Sequence, residues 1–169
     1  MSPASSSEME SEMARYFAGE RGESALILAC AVAAAVVSAA LVSLRSPYRA
    51  MAWPLMALGL VQLLAGGAVF LRTPAQVARL GRQLRSSPST FRAEEAARMT
   101  RVQRRFVLYK RVEIGLLAIG LALASIEGYG RTLYAVGMGL MLEAGLMLFL
   151  DLRAERRGQR YLQMVKAPG

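Results

Sequence analysis

The sequence predicts an all-α polytopic membrane protein, a four-transmembrane-helix bundle with cytoplasmic helical extensions, and three observations carry that prediction. Four apolar runs, residues 24–44, 50–71, 106–126 and 132–150, fill about half of the 169 residues. A run of about 20 apolar residues, rising 1.5 Å each, matches a hydrocarbon core about 30 Å thick. Hydrophobic residues make up 54% of the chain against 20% charged, and the charges fall almost wholly between the runs. Lysine and arginine are also lopsided: eleven lie within 72–111 and five within 153–166, whereas Arg45, Arg49 and Arg131 alone occupy the alternate connections. Positive residues near short loops are retained on the cytoplasmic side. Both termini and the middle connection are therefore expected in the cytoplasm, with the runs in a bacterial-type inner (plasma) membrane. The net charge of +9 is largely this asymmetry, which argues against nucleic acid as a partner.

Residues 1–23 read as a cytoplasmic tail, in part an amphipathic helix, because Met9, Met13 and Tyr16 recur at helical spacing. Glu8, Glu10, Glu12, Glu20 and Glu23 in this tail suit contacts with arginines elsewhere and do not suit a signal peptide, which starts basic. The run 24–44 carries no charge, and its many alanines fit tight packing. A short outer connection follows, and Tyr48, Trp53, Tyr129 and Tyr134 gather near this face as headgroup-level anchors. Pro54 falls in the first turn of 50–71, where its missing amide hydrogen costs least.

The segment 72–105 reads as a cytoplasmic basic helical hairpin. Thr73 and Pro74 suit a helix cap and first position, and a short helix is expected to about Arg85. Val77, Leu80 and Leu84 share one face beside Arg79, Arg82 and Arg85, a pattern that fits lipid headgroups of an anionic inner leaflet or a protein partner. Ser86, Ser87, Pro88, Ser89 and Thr90 break the chain, and a new helix is expected from about Phe91, running unbroken into 106–126. The second outer connection is little more than Glu127, Gly128, Tyr129, Gly130 and Arg131. The last run, 132–150, continues as a cytoplasmic C-terminal helix and tail, 151–169.

Polar residues inside the runs are few, and there they mark protein interior or function. Gln62, Glu113 and Glu143 count to about 10–14 Å above the inner ends of their runs at 1.5 Å per residue, so one intramembrane polar layer is expected. Tyr109 and Lys110 precede Glu113 by four and three residues and would supply a donor and a counter-ion on its own helix. Glu143 has neither, and its expected partners are Lys110, Arg111 or Gln62. The candidate set is Glu143, Glu113, Lys110, Arg111, Gln62 and Tyr109. Burial of Glu143 against one of those partners would make it a clasp between helices, and water access would make it a carrier group.

The chain has no histidine, no asparagine, one aspartate and one cysteine. Histidine-held haem, the usual zinc sets, a Ser-His-Asp triad and a disulfide relay are thereby excluded. No metal, cofactor or catalytic residue is expected, and no enzyme. The expected function is that of a non-enzymatic inner-membrane binding or accessory subunit, immunity-like or regulatory, pairing with membrane lipids and with another membrane protein or copies of itself. The alternative is an oligomeric ion channel or proton-coupled small transporter that uses Glu143.

Overall fold

A computed structural model describes residues 6–126 and 130–167. Helix accounts for 95% of the structure. Four long helices make it up: α1 (Ser6–Ser43), α2 (Ala52–Ser86), α3 (Pro88–Ser125) and α4 (Gly130–Lys166), with a short 3₁₀ turn, Arg49–Met51, ahead of α2. Helices α1, α2 and α4 are long and apolar enough to cross a membrane. Helix α3 is as long, but Lys110, Arg111 and Glu113 interrupt its apolar stretch. Glu127, Gly128 and Tyr129, read above as the second outer connection, lie outside the described residues.

Each helix ends for a local reason. At the close of α1 the Ser46 amide bonds to the Leu41 carbonyl and Arg45 takes a left-handed backbone, φ 50, a Schellman-type stop usually built on glycine. Between α2 and α3 the chain reverses on Ser87 alone, whose extended backbone (φ −151) is followed by Pro88 in the first turn of α3. The five-residue break expected there is thus one residue. A second correction concerns Thr73 and Pro74, which do not start a helix: α2 runs through both. Proline leaves the carbonyl four residues earlier without its amide partner. The Thr73 hydroxyl stays inside the helix, donating to the Val69 carbonyl at 2.7 Å.

Pairing is by hairpin. Helix α1 packs along α2, and α3 along α4, whereas α2 and α3 meet only sparingly and α4 bridges the two pairs. Small residues allow the close approaches. A β-carbon on Gly120 would stand 2.8 Å from the Gly137 carbonyl oxygen, and one on Gly139 would stand 2.7 Å from the Pro54 ring. Gly59 and Gly66, which flank Gln62, face Ala31, Ala34 and Ile27 of α1.

Most of the largest fully buried side chains gather at the Ser87 end. Met9, Met13, Tyr16 and Phe17 of α1 meet Leu80 and Leu84 of α2, Phe91 and Met99 of α3, and Tyr161 and Val165 of α4 in one cluster. Tyr16 stacks on Tyr161 with ring centroids 4.6 Å apart, and Phe17 meets Tyr16 edge-on at 5.0 Å. Glu95, 1% exposed, accepts two hydrogen bonds from Arg98, at 2.6 and 2.7 Å, so its charge is buried with a bidentate partner. Leu80 and Leu84, together with the partly buried Val77, form the apolar face that suggested a surface-lying helix; here that face packs into the cluster. Arg79 and Arg82 stay exposed, and Arg85 pairs with Glu10 at 2.7 Å.

Candidate functional site

Because α2 and α3 diverge from Ser87 while each keeps its own hairpin partner, a cleft of about 600 Å3 opens between them, with α1 and α4 as its back. Each helix contributes one face: on α4 the residues Glu143, Met147, Asp151 and Ala154 recur at steps of three or four. The cleft extends from Leu58 to Arg72 on α2, 14 residues or about 21 Å of helix. Its lips are apolar and exposed, with Val61 at 60%, Leu108 at 59% and Val112 at 53%. Its floor is polar: Gln62, Glu113 and Glu143 are all buried and Asp151 is half-buried.

The floor is organised as rungs along α4. At the first, the Gln62 amide nitrogen donates to Oε2 of Glu143, joining α2 to α4. Two helical turns on, about 12 Å, Asp151 lies beside the Glu113 carboxyl. At the third, Lys110 Nζ donates to both oxygens of Glu155, at 2.7 and 2.9 Å. The single layer expected from the sequence is therefore a ladder, in which Glu143 meets Gln62, one of its expected partners, and Lys110 bonds elsewhere. Lys110 bonds to neither Glu113 nor Glu143, although its charge still acts on Glu113. Its flexible stem reaches instead to Glu155, a more accessible carboxylate that α4 presents by running on past Asp151. Arg111 stands two positions before Glu113, on a different face of α3, and is exposed. Tyr109 lines the cleft but leans on Phe106, ring centroids 6.3 Å apart.

Among the described residues two buried oxygens on side chains lining the cleft have no hydrogen-bond partner, Gln62 Oε1 and Glu113 Oε2. The residues carrying them are 2% and 8% exposed. Two ionised carboxylates have no hydrogen to share, so Glu113 and Asp151 stand together only with a proton or a positive group between them. Among the described residues no three His, Cys, Asp or Glu side chains group as a metal site.

No protein-family model, curated protein or solved structure matches the chain.

At its Ser87 end the cleft is closed by paired charges. Arg157 donates to Glu23 at 2.7 Å and lies over the Tyr16 ring, 5.7 Å from its centroid. The Thr73 hydroxyl faces Glu20 at 3.4 Å. Asp151, Glu155, Arg157 and Glu23 escape a search confined to the apolar runs, because all four lie beyond them. A helical signal does point to two of them: the face that begins at Glu143 reaches Asp151 after eight residues and Glu155 after twelve.

Burial raises the pKa of Glu20 above the ordinary carboxylate value, and Arg72 nearby offsets this only in part. The folded protein therefore holds that proton more tightly than the unfolded chain does. The stabilisation is complete below the unfolded value near 4.5 and is lost as pH rises through the folded value. Glu20→Gln is expected to raise the thermal midpoint at neutral pH and to leave it unchanged in acid. A melting series across that range, native beside variant, checks the sign, and a variant less stable at neutral pH would contradict it.

Proposed function

We propose that the chain crosses a bacterial-type inner membrane four times, with both termini and the Ser87 turn in the cytoplasm, and acts there by binding, without catalysis. Three helices of sufficient length and apolarity support the crossing, and the basic residues near Ser87 support the orientation. Helix α3 is read as the remaining span for two reasons. Its stretch 114–125 is free of charge, and Lys110, on the basic side of that stretch, is neutralised by Glu155.

The cleft is the proposed binding site, and a small amphiphile bearing a positive charge is the proposed occupant. One observation carries this: Glu113, Asp151 and Gln62 line an apolar-lipped cleft, and among the described residues the buried Glu113 Oε2 and Gln62 Oε1 have no hydrogen-bond partner and no cation is bonded to the Glu113–Asp151 pair. A volume of about 600 Å3 falls within the range of small-ligand pockets, which favours a small occupant. An accessory role, in which the loaded protein serves a partner, draws support from the exposed Arg79, Arg82, Arg101 and Arg104 on the cytoplasmic part.

A second reading, a proton-coupled carrier, is favoured by the Glu113–Asp151 pair, which would exchange a shared proton for the ligand's charge. Against it, Glu143 is 4% exposed and bonded to Gln62, the arrangement of a clasp.

The test is equilibrium binding of tetraphenylphosphonium to the purified protein, with flux of the same ion and of protons measured in liposomes. Binding that weakens in acid, and falls about tenfold or more in Glu113→Gln and Asp151→Asn, is the expected result. Binding without flux identifies a binding protein, and binding with flux a carrier. Native protein that binds none of the ion overturns the assignment.

A further inference from the structure

We infer that the end of the molecule opposite Ser87 carries a site for an anionic phospholipid, three arginines taking the phosphate and an apolar groove taking one acyl chain. The groove, of about 1050 Å3, lies among the end of α1, the 3₁₀ turn and the starts of α2 and α4. Its rim gathers Arg45 and Arg49 of the connection between α1 and α2 and Arg131 of α4. Among the described residues no acidic side chain lines it and none of the three arginines has an ion pair. Arg45 also holds a left-handed backbone, φ 50, at a helix stop where glycine would be least strained.

Below the rim the wall is Ala35, Ala39, Val42 and Met56. Small alanines leave the hollow, and its depth has a natural measure. Ala35 to Arg45 is ten residues of chain, about 15 Å if helical throughout, which is half of a hydrocarbon core about 30 Å thick. A lipid chain of one leaflet therefore ends its descent where the groove does, with its phosphate level with the arginines. Guanidinium groups bind phosphate oxygens in pairs and carry their charge at every physiological pH. A zwitterionic headgroup would bring a quaternary ammonium against three positive charges. Arginines that merely reach for the headgroup layer would enrich anionic lipid without a saturable site.

This inference rests on the four-span placement, and the experiment separates the two. Trp53, the chain's one tryptophan, lines the same groove and is 78% exposed. Protein in phosphatidylcholine vesicles is titrated with brominated phosphatidylglycerol or brominated phosphatidylcholine while Trp53 fluorescence is read. Brominated phosphatidylglycerol is expected to quench at a lower mole fraction, by about fivefold for each arginine engaged, and to saturate. Replacing Arg45, Arg49 and Arg131 by glutamine removes the preference, and replacing Arg79 and Arg82 leaves it in place. Equal quenching by the two lipids overturns the site and leaves the membrane placement standing, whereas quenching by neither overturns both. Displacement of the brominated lipid by soluble glycerol phosphate would overturn the lipid assignment in favour of a soluble ligand. The comparison of lipids uses native protein, so a variant that fails to fold does not decide it.

Discussion

Phe91→Ala is expected to destabilise the protein by about 3–5 kcal/mol, the range for deleting a fully buried aromatic side chain. Phe91 has no exposed surface and sits where all four helices contribute to the cluster at the Ser87 end. It is also three residues into α3, so the cavity left behind lies beside the tightest reversal in the chain. Phe149→Ala is the matched control. Phe149 is 56% exposed and makes a cation–π contact with Arg153, so its loss is expected to cost little. Thermal and chemical denaturation of both variants in the same detergent measures the difference. Equal losses would mean that the cluster does not hold the four helices together.

Gly137→Val is expected to separate α3 from α4, with a loss toward the upper end of about 1–3 kcal/mol for overpacking, or beyond it. A β-carbon at Gly137 would meet the Gly120 carbonyl oxygen, and would come within 2.7 Å of the Ala124 amide nitrogen. Both are backbone atoms and cannot swing aside as a side chain would. Gly145→Ala is the contrast, because the nearest atom to its new carbon is the tip of Leu117 at 3.8 Å, an ordinary contact. A shift in melting for Gly137→Val with none for Gly145→Ala is the expected pattern. Similar behaviour of the two would show that the helices are not in close contact at Gly120 and Gly137.

These two sites differ in how far the sequence reveals them. The helical character is plain from the apolar runs, and the spacing of Met9, Met13 and Tyr16 announces a packed face on the first helix. Phe17, Phe91 and Tyr161 do not stand out, because a lone aromatic residue in a charged segment shows no periodicity until its neighbours across the bundle are known. Pro74 misleads for a physical reason: threonine followed by proline has the chemistry of a helix start, and only packing on both sides of it decides that the helix continues. In the candidate site, the pairing of Gln62 with Glu143 is among the partners expected. Lys110 with Glu155, and Glu113 with Asp151, are not, because they depend on the register of α3 against α4. The cleft itself is not legible at all. It is a space between two hairpins, and it follows from the angle at which they part, which no single helix encodes.

Helix α4 carries Glu143 at the floor of the cleft and, 18 residues further on, Tyr161 in the cluster at the Ser87 end. The two lie on one uninterrupted rod about 27 Å apart, with no proline between them. A rod of this kind works as an axle. A rotation that carried Glu143 away from Gln62 would turn Tyr161 against Tyr16 through the same angle, so the floor of the cleft and the aromatic cluster would move together.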